Sequence, residues 1–316
     1  MDGRGPYDVL TMGRVGVDLY PEQSGVPLAE VRTFAKSLGG CPTNVAVGAA
    51  RYGHRAAVIT KVGADGFGDY VRAALRRFGV DDRFVGTDPD FRTPVVFCEL
   101  LPPEAPTIVF YREPSAPDMQ LVVDELDLGA IRDSRVFWTT GTGLSDEPSR
   151  AATIAALEAR GRSGITMHDL DYRPAFWPSP EEAGEQQRRA LAHATVAVGN
   201  VEECRVAVGD GAAETLAGKL RDLGIELAIV KLGSEGVLAS WGGGTERFPP
   251  VRVQVVNGLG AGDAFGAAVC HGLLVGWDVP RTIRFANAAG AHVATRLACA
   301  DEMPDEAQVE ALLVDA

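Results

Sequence analysis

Asp263 is the residue of this chain best placed to move a proton. It stands in the segment Val255-Val256-Asn257-Gly258-Leu259-Gly260-Ala261-Gly262-Asp263-Ala264-Phe265, where a strand is predicted to feed a glycine-rich corner that opens a small-residue helix over 266–275. Gly260 and Gly262, with Ala261 between them, let backbone N–H groups approach an anion, and a helix N-terminus adds roughly half a positive charge there. Such a corner suits a phosphate. A carboxylate in the first turn could then accept the proton of a hydroxyl as it attacks the phosphoryl group. The same residues also suit a purely structural corner, with glycines that allow close packing and Asp263 capping the helix.

A second segment, Gly39-Gly40-Cys41-Pro42-Thr43-Asn44-Val45-Ala46, pairs two glycines with a proline suited to an early helical position. Gly39 and Gly40 would bring the backbone close to a ligand, and Asn44 offers a donor and an acceptor to a sugar hydroxyl. An ordinary loop-to-helix junction reads the same way. Two familiar phosphate motifs fail. A dinucleotide fingerprint needs glycine where Asp263 stands, which argues against a nucleotide-dependent oxidoreductase. A Walker loop needs Ser or Thr after Gly218-Lys219, where Leu220 follows, and glycine where Ala213 lies. The five histidines have no metal-ligand spacing, and both they and the tryptophans read as packing residues.

These residues belong to a chain of 316 residues, 46% apolar, with 30 Lys plus Arg against 43 Asp plus Glu and a net charge of −13. Fibrous and disordered classes drop out. The negative charge and scattered arginines argue against nucleic acid as a main partner, although a few converging arginines can still hold a small anion. Cys41, Cys98, Cys204, Cys270 and Cys299 form no C-x-x-C pair, so they are expected to be reduced thiols of a cytoplasmic protein. No targeting segment and no membrane span is expected.

The elements that must hold the two glycine segments can be read from the apolar pattern. Apolar runs at 136–140, 165–168, 196–198 and 227–231 alternate with helical patterns at 150–160, 181–193 and 210–224, which argues for βαβ units and a mostly parallel sheet. Residues 9–20 and 93–111 instead read as consecutive strands, with Pro102, Pro103 and Pro106 marking a turn. A discontinuous β lid is therefore predicted over 14–37 and 91–115, attached to an α/β body of 1–13, 38–90 and 116–316. The acidic stretch 301–315 reads as a last helix with a solvated face.

With both glycine segments in place, the chain resembles the ribokinase-like, or PfkB, carbohydrate kinases over nearly its whole length. The family's G-G-x-x-x-N-x-A is matched by Gly39, Gly40, Asn44 and Ala46, and its D-T-x-G-A-G-D by Gly260, Ala261, Gly262 and Asp263. The resemblance implies a three-layer α/β/α sandwich with a mostly parallel central sheet and a small β-sheet lid. It implies ATP and Mg²⁺, with Asp263 as base and the amides of Gly260, Ala261 and Gly262 stabilising the transferred group. Asn200 and Glu203 match N-x-x-E, linked to magnesium through an outer shell. Lys231, Gly233, Ser234 and Gly236 match the nucleotide-binding turn, and Asn287 lies in the helix beside the adenine. Asn257 and Gly258 depart from the motif's aspartate and threonine. That aspartate helps many members hold K⁺, so a monovalent-cation requirement is not expected here.

On the sugar side, Asp18 matches the aspartate that grips substrate hydroxyls. Arg112, and Arg173 in Asp169-Leu170-Asp171-Tyr172-Arg173-Pro174, stand where kinases of sugar acids place theirs. A guanidinium pairs with a carboxylate in two bonds, so a sugar acid phosphorylated on a primary hydroxyl is the expected substrate. Arg112 could equally be a lid-surface residue, and Arg173 a salt bridge or a phosphate contact. Other sugar acids, ribose or fructose are alternative substrates, and a silent sugar-binding regulator is a further alternative that should lack the base. Lid-mediated homodimers occur in the family and are carried over as an expectation.

Overall fold

A computed structural model describes residues 6–23, 25–104 and 106–314. Strand β1 (Val9–Met12) starts the body. The chain then leaves it for β2 (Gly16–Pro21) and β3 (Phe34–Gly39) and returns through helix α1 (Cys41–Arg51), β4 (Ala56–Gly63), α2 (Gly66–Arg77), β5 (Val80–Asp81) and β6 (Val85–Asp88). A hairpin, β7 (Val95–Glu99) and β8 (Thr107–Tyr111), again lies outside the body. From there helices and strands alternate: α3 (Leu128–Asp133), β9 (Val136–Thr140), α4 (Ser149–Arg160), β10 (Ile165–Asp169), α5 (Pro180–Leu191), β11 (Val196–Asn200), α6 (Val201–Val208), α7 (Ala213–Asp222) and β12 (Leu227–Lys231). The antiparallel pair β13 (Val237–Trp241) and β14 (Gly244–Phe248) closes the sheet, and α8 (Ala261–Val275), α9 (Val279–Ala294) and α10 (Glu306–Val314) complete the chain.

Among the described residues the large sheet has the order β14-β13-β12-β11-β10-β9-β1-β4-β5, with β6 also beside β4; every pairing from β12 to β5 is parallel. Parallel strands covered on both faces need apolar side chains on both, which is why they read as unbroken hydrophobic runs. The alternation sorts neatly. Val9, Val58, Val136, Trp138 and Ile229 face a core shared with α1, α2, α8 and α9. Leu10, Ala57, Ile59 and Phe137 face α3, α4 and α5, while Ala197, Ala228 and Val230 face α6 and α7. The result is the expected three-layer sandwich.

The second sheet has the order β3-β2-β7-β8. Strand β3 runs to Gly39, two residues past the predicted edge of its segment. Because side chains alternate along a strand, Asp18, Tyr20, Val96, Cys98 and Phe110 share one face. That face looks onto the C-terminal ends of the parallel strands, where open α/β sheets bind ligands.

Two sequence-based expectations fail locally. No strand precedes the glycine corner: 251–259 is unpaired by any strand, and the amides of Val256 and Asn257 instead bond the Ala294 carbonyl at the end of α9, at 2.8 and 3.2 Å. The acidic tail forms its helix only from Glu306, and its predicted end at Asp315 lies outside the described residues.

Candidate active site

Helix α8 begins at Ala261 because Gly260 adopts a left-handed φ of 78°, a conformation that favours glycine. A Cβ there would also strike Cys299 Sγ. Asp263 is thus the third helical residue, and its Oδ2 accepts a hydrogen bond from Asn44 Nδ2 at 2.7 Å. Asn44 comes from α1, which Gly40 launches at a φ of 102°. A Cβ on Gly40 would strike the Arg14 carbonyl, and one on Gly39 would fall on the Asp18 carboxylate. The glycine pair is therefore a three-way close approach of β2, the loop after β1 and helix α1. Asn44 Oδ1 is buried without a partner, free to accept from a ligand hydroxyl.

Asp18, Gly40, Asn44, Gly260 and Asp263 line a cavity of about 220 Å³ together with Arg14, Asp169, Asp171, Arg173, Glu203 and Lys231, while Gly39 lies off its lining, behind the Asp18 carboxylate. Burial raises the Asp263 carboxyl above the usual aspartate range; Asn44 and Cys41 pull it down, Asp171 pushes it up and Lys231 opposes that. Burial likewise pushes Asp18 up to about 6, against the hydrogen bond from Tyr20 and the charge of Arg14. Asp171 behaves oppositely. Burial would raise it, but Arg173 and Arg14, with the Thr142 hydroxyl, hold it low. Its φ of 26° is a strained, left-handed setting for a non-glycine residue. That setting is fixed by its amide bond to Asp169 Oδ1 at 3.1 Å and by the Arg173 ion pair at 2.9 Å.

A second cavity, of about 620 Å³, is lined by Gly233, Ser234, Gly236 and Asn287, and by Ala261, Gly262 and Phe265 of α8. The two cavities share Lys231, Gly258 and Gly262. Asn287 donates to the Pro249 carbonyl at 3.0 Å, tying α9 to that wall. Lys231 ends β12 with Nζ 4.0 Å from Asp169 Oδ1, and its pKa is raised: burial opposes the charge, but Asp169 and Glu203 outweigh it.

Not every predicted residue reaches a cavity. Asn200 caps α6: its Oδ1 accepts from Glu203 N at 2.9 Å while Glu203 Oε2 accepts from Asn200 N at 2.6 Å. It positions Glu203 rather than facing a ligand. Arg112 is also off the small cavity's lining. Its guanidinium is buried against Asp118 at 2.6 Å, and Asp118 accepts in turn from the Val15 amide at 2.9 Å. The cavity arginine that sequence reading missed is Arg14, two residues past the end of β1. Its position just beyond a parallel strand's C-terminal end was the available signal.

Among the described residues no group of three or more His, Cys, Asp or Glu could hold a metal ion. Mg²⁺ needs no such cage: it keeps several waters and binds through one or two carboxylates plus phosphate oxygens. Glu203 and Asp169, two oxygen donors beside Lys231, fit that role. A K⁺ site at Asn257 does not fit. This buried amide is engaged at both ends, Oδ1 accepting from Leu259 N at 2.9 Å and Nδ2 donating to the Leu297 carbonyl at 2.7 Å.

A small polar cavity and a larger one that meet at a helix N-terminus, with a carboxylate at the junction, are built to pass a phosphoryl group from a large donor to the hydroxyl of a small acceptor. The model of the pfkB family carbohydrate kinases matches residues 7–306, and the chain belongs to that family of ATP-dependent sugar kinases. Among its relatives are proteins named 5-dehydro-2-deoxygluconokinase. That of Shouchella clausii is 32% identical over 97% of this chain and 95% of its own, and that of Geobacillus thermodenitrificans 32% identical over 98% and 94%. The solved fructokinase of Vibrio cholerae, with fructose, ADP and calcium bound, superposes with a TM-score of 0.85 at 27% identity, covering 96% of this chain and 98% of that one. The E. coli protein named putative Ribokinase II, solved in complex with ATP and Mg²⁺, shares the fold, with a TM-score of 0.89 at 22% identity over 98% and 99%.

Proposed function

We propose that this kinase phosphorylates the primary hydroxyl of 5-dehydro-2-deoxy-D-gluconate, giving the 6-phosphate, a step of inositol catabolism in the cytoplasm. The observation that carries the reading is the Asp263 carboxylate, in the small polar cavity and one turn or less from the amides shared with the larger one. The full-length relatives of that name support the substrate over other sugar acids or a neutral sugar.

In this reading the acid lies in the small cavity and ATP in the larger one. Asp263, held by Asn44, takes the hydroxyl proton as the oxygen attacks the γ-phosphorus, while the bond from that phosphorus to the β,γ-bridging oxygen breaks and ADP leaves. The N–H groups of Gly260, Ala261 and Gly262 and the Lys231 ammonium face the charge on the transferred group. Bound Mg²⁺ supplies neutralising charge on the phosphate oxygens, and Glu203 and Asp169 are the residues that would hold it. Asp18 and Asn44 Oδ1 accept from sugar hydroxyls, with Gly39 and Gly40 keeping that wall close. Gly233, Ser234, Gly236 and Asn287 form the nucleotide's seat. The small sheet acts as a lid that keeps water from the junction.

Asn257 braces the anion-binding loop by its two hydrogen bonds, without help from a monovalent cation. Turnover should therefore differ by less than about twofold between K⁺ and tetramethylammonium buffers; strong activation by K⁺ would reject this. For the substrate, ADP release is measured against 5-dehydro-2-deoxygluconate, 2-keto-3-deoxygluconate, ribose and fructose. The first should give the highest kcat/KM, and a higher value for any other would displace it.

A further inference from the structure

Arg14 lies in the link between β1 and β2 and lines the small cavity, its side chain only 10% exposed. Two aromatic rings hold its guanidinium: the central carbon is 5.5 Å from the centre of Phe110 and 5.8 Å from that of Phe176. The rings pack edge to face at 4.8 Å, so the cation is fixed in place before any ligand arrives. Its ion pair is poor. Arg14 Nη2 stands 3.5 Å from Asp171 Oδ2, an oxygen that also accepts the Thr142 hydroxyl at 2.9 Å. The other Asp171 oxygen belongs to Arg173 Nη2 at 2.9 Å. One carboxylate thus serves two guanidinium groups, and Nε of both Arg14 and Arg173 is buried without a hydrogen-bond partner. Arg112, by contrast, has a close partner of its own in Asp118.

Buried charged donors left unpaired on a cavity wall call for an anionic ligand with planar oxygens. We propose that Arg14, together with Arg173, binds the substrate's carboxylate and is the specificity-determining residue for an acid over a neutral sugar, while Arg112 positions this wall by packing against Phe176. Arg112's guanidinium carbon lies 5.1 Å from the Phe176 ring centre. The assignment rests on the sugar-acid reading above. The Arg14 fork takes the carboxylate oxygens, and the sugar chain then runs toward Asp263 with its hydroxyl end.

The test compares 5-dehydro-2-deoxygluconate with its C1 amide, which keeps the size and every hydroxyl but lacks the charge. kcat and KM are measured for the wild type, Arg14→Met and Arg14→Lys. Methionine preserves packing between the two rings, and lysine preserves the charge without the fork. In the wild type, KM for the acid should be the lower of the two. In Arg14→Met, KM for the acid should rise about 10- to 100-fold and KM for the amide by less than about threefold, with Arg14→Lys between. An unchanged KM for the acid, or an equal rise for acid and amide, would overturn the assignment to Arg14. A wild type indifferent to the charge would instead remove the sugar-acid reading itself. If Arg14→Met does not fold, Arg14→Lys alone decides by the same acid-to-amide comparison.

Discussion

Three of the residues that matter most here are carboxylates set in different surroundings, and the surroundings divide their work. Asp171 is ionised and structural, clasped by arginines, whereas Asp263 and Asp18 are raised by burial. For Asp18 the raised folded value has a defined stability signature. The fold favours its neutral form, a contribution fully present below the ordinary 3.8 and lost as pH rises through about 6. Asp18→Asn mimics that neutral form and still accepts from Tyr20. The unliganded variant should therefore be the more stable at pH 8, by up to about 3 kcal/mol or a few degrees in Tm, with the gap closing between pH 6 and 4. Thermal melts across that range check it; a wild type more stable at pH 8 would contradict the buried-charge reading. The carboxylate was legible in the sequence because its motif is local, four residues, Gly260 to Asp263, that carry corner, helix start and base together. Arg173 was also read from its segment, but Arg14 and Arg112 were not, because their roles depend on pairing across the chain: Arg112 is claimed by Asp118 and Arg14 is left to the cavity, and no spacing rule announces either.

Asn44 and Asp263 meet only because α1 and α8 pack unusually close. One turn beyond each, Gly48 faces Ala267, and a Cβ on Gly48 would stand 2.5 Å from the Ala267 Cβ. Gly48→Val should push the helices apart, costing about 1–3 kcal/mol by overpacking and stretching the Asn44–Asp263 hydrogen bond. The expected outcome is a lowered Tm together with a fall in kcat, although residue 48 touches neither cavity. A variant with lowered Tm and full kcat would show that the interhelical contact does not set the base. The parallel strands were readable as apolar runs because both faces are covered. The run at 255–256 misled for the same reason in reverse: Val256 is 44% exposed, and its amide, with that of Asn257, finds α9's last carbonyl instead of a neighbouring strand.

The molecule as a whole is a covered α/β body with a small sheet over its ligand edge, and the outer side of that sheet is unusually apolar. Phe97 packs edge to face with Phe34 at 5.2 Å and with Tyr111 at 5.3 Å, and Tyr111 is 63% exposed. The separate small sheet could be read from the change in element order near residues 20 and 95, but the antiparallel pair after Gly236 could not, since Gly244–Phe248 is largely exposed and carries no apolar alternation. The most direct measurement of the central claim is single-site: kcat of Asp263→Asn with 5-dehydro-2-deoxygluconate, alongside the dissociation constants of the acid and of ATP. Loss of about 10²–10⁴ in kcat, with both constants within a few-fold of the wild type, is expected for a positioned base; turnover near the wild-type rate would contradict it.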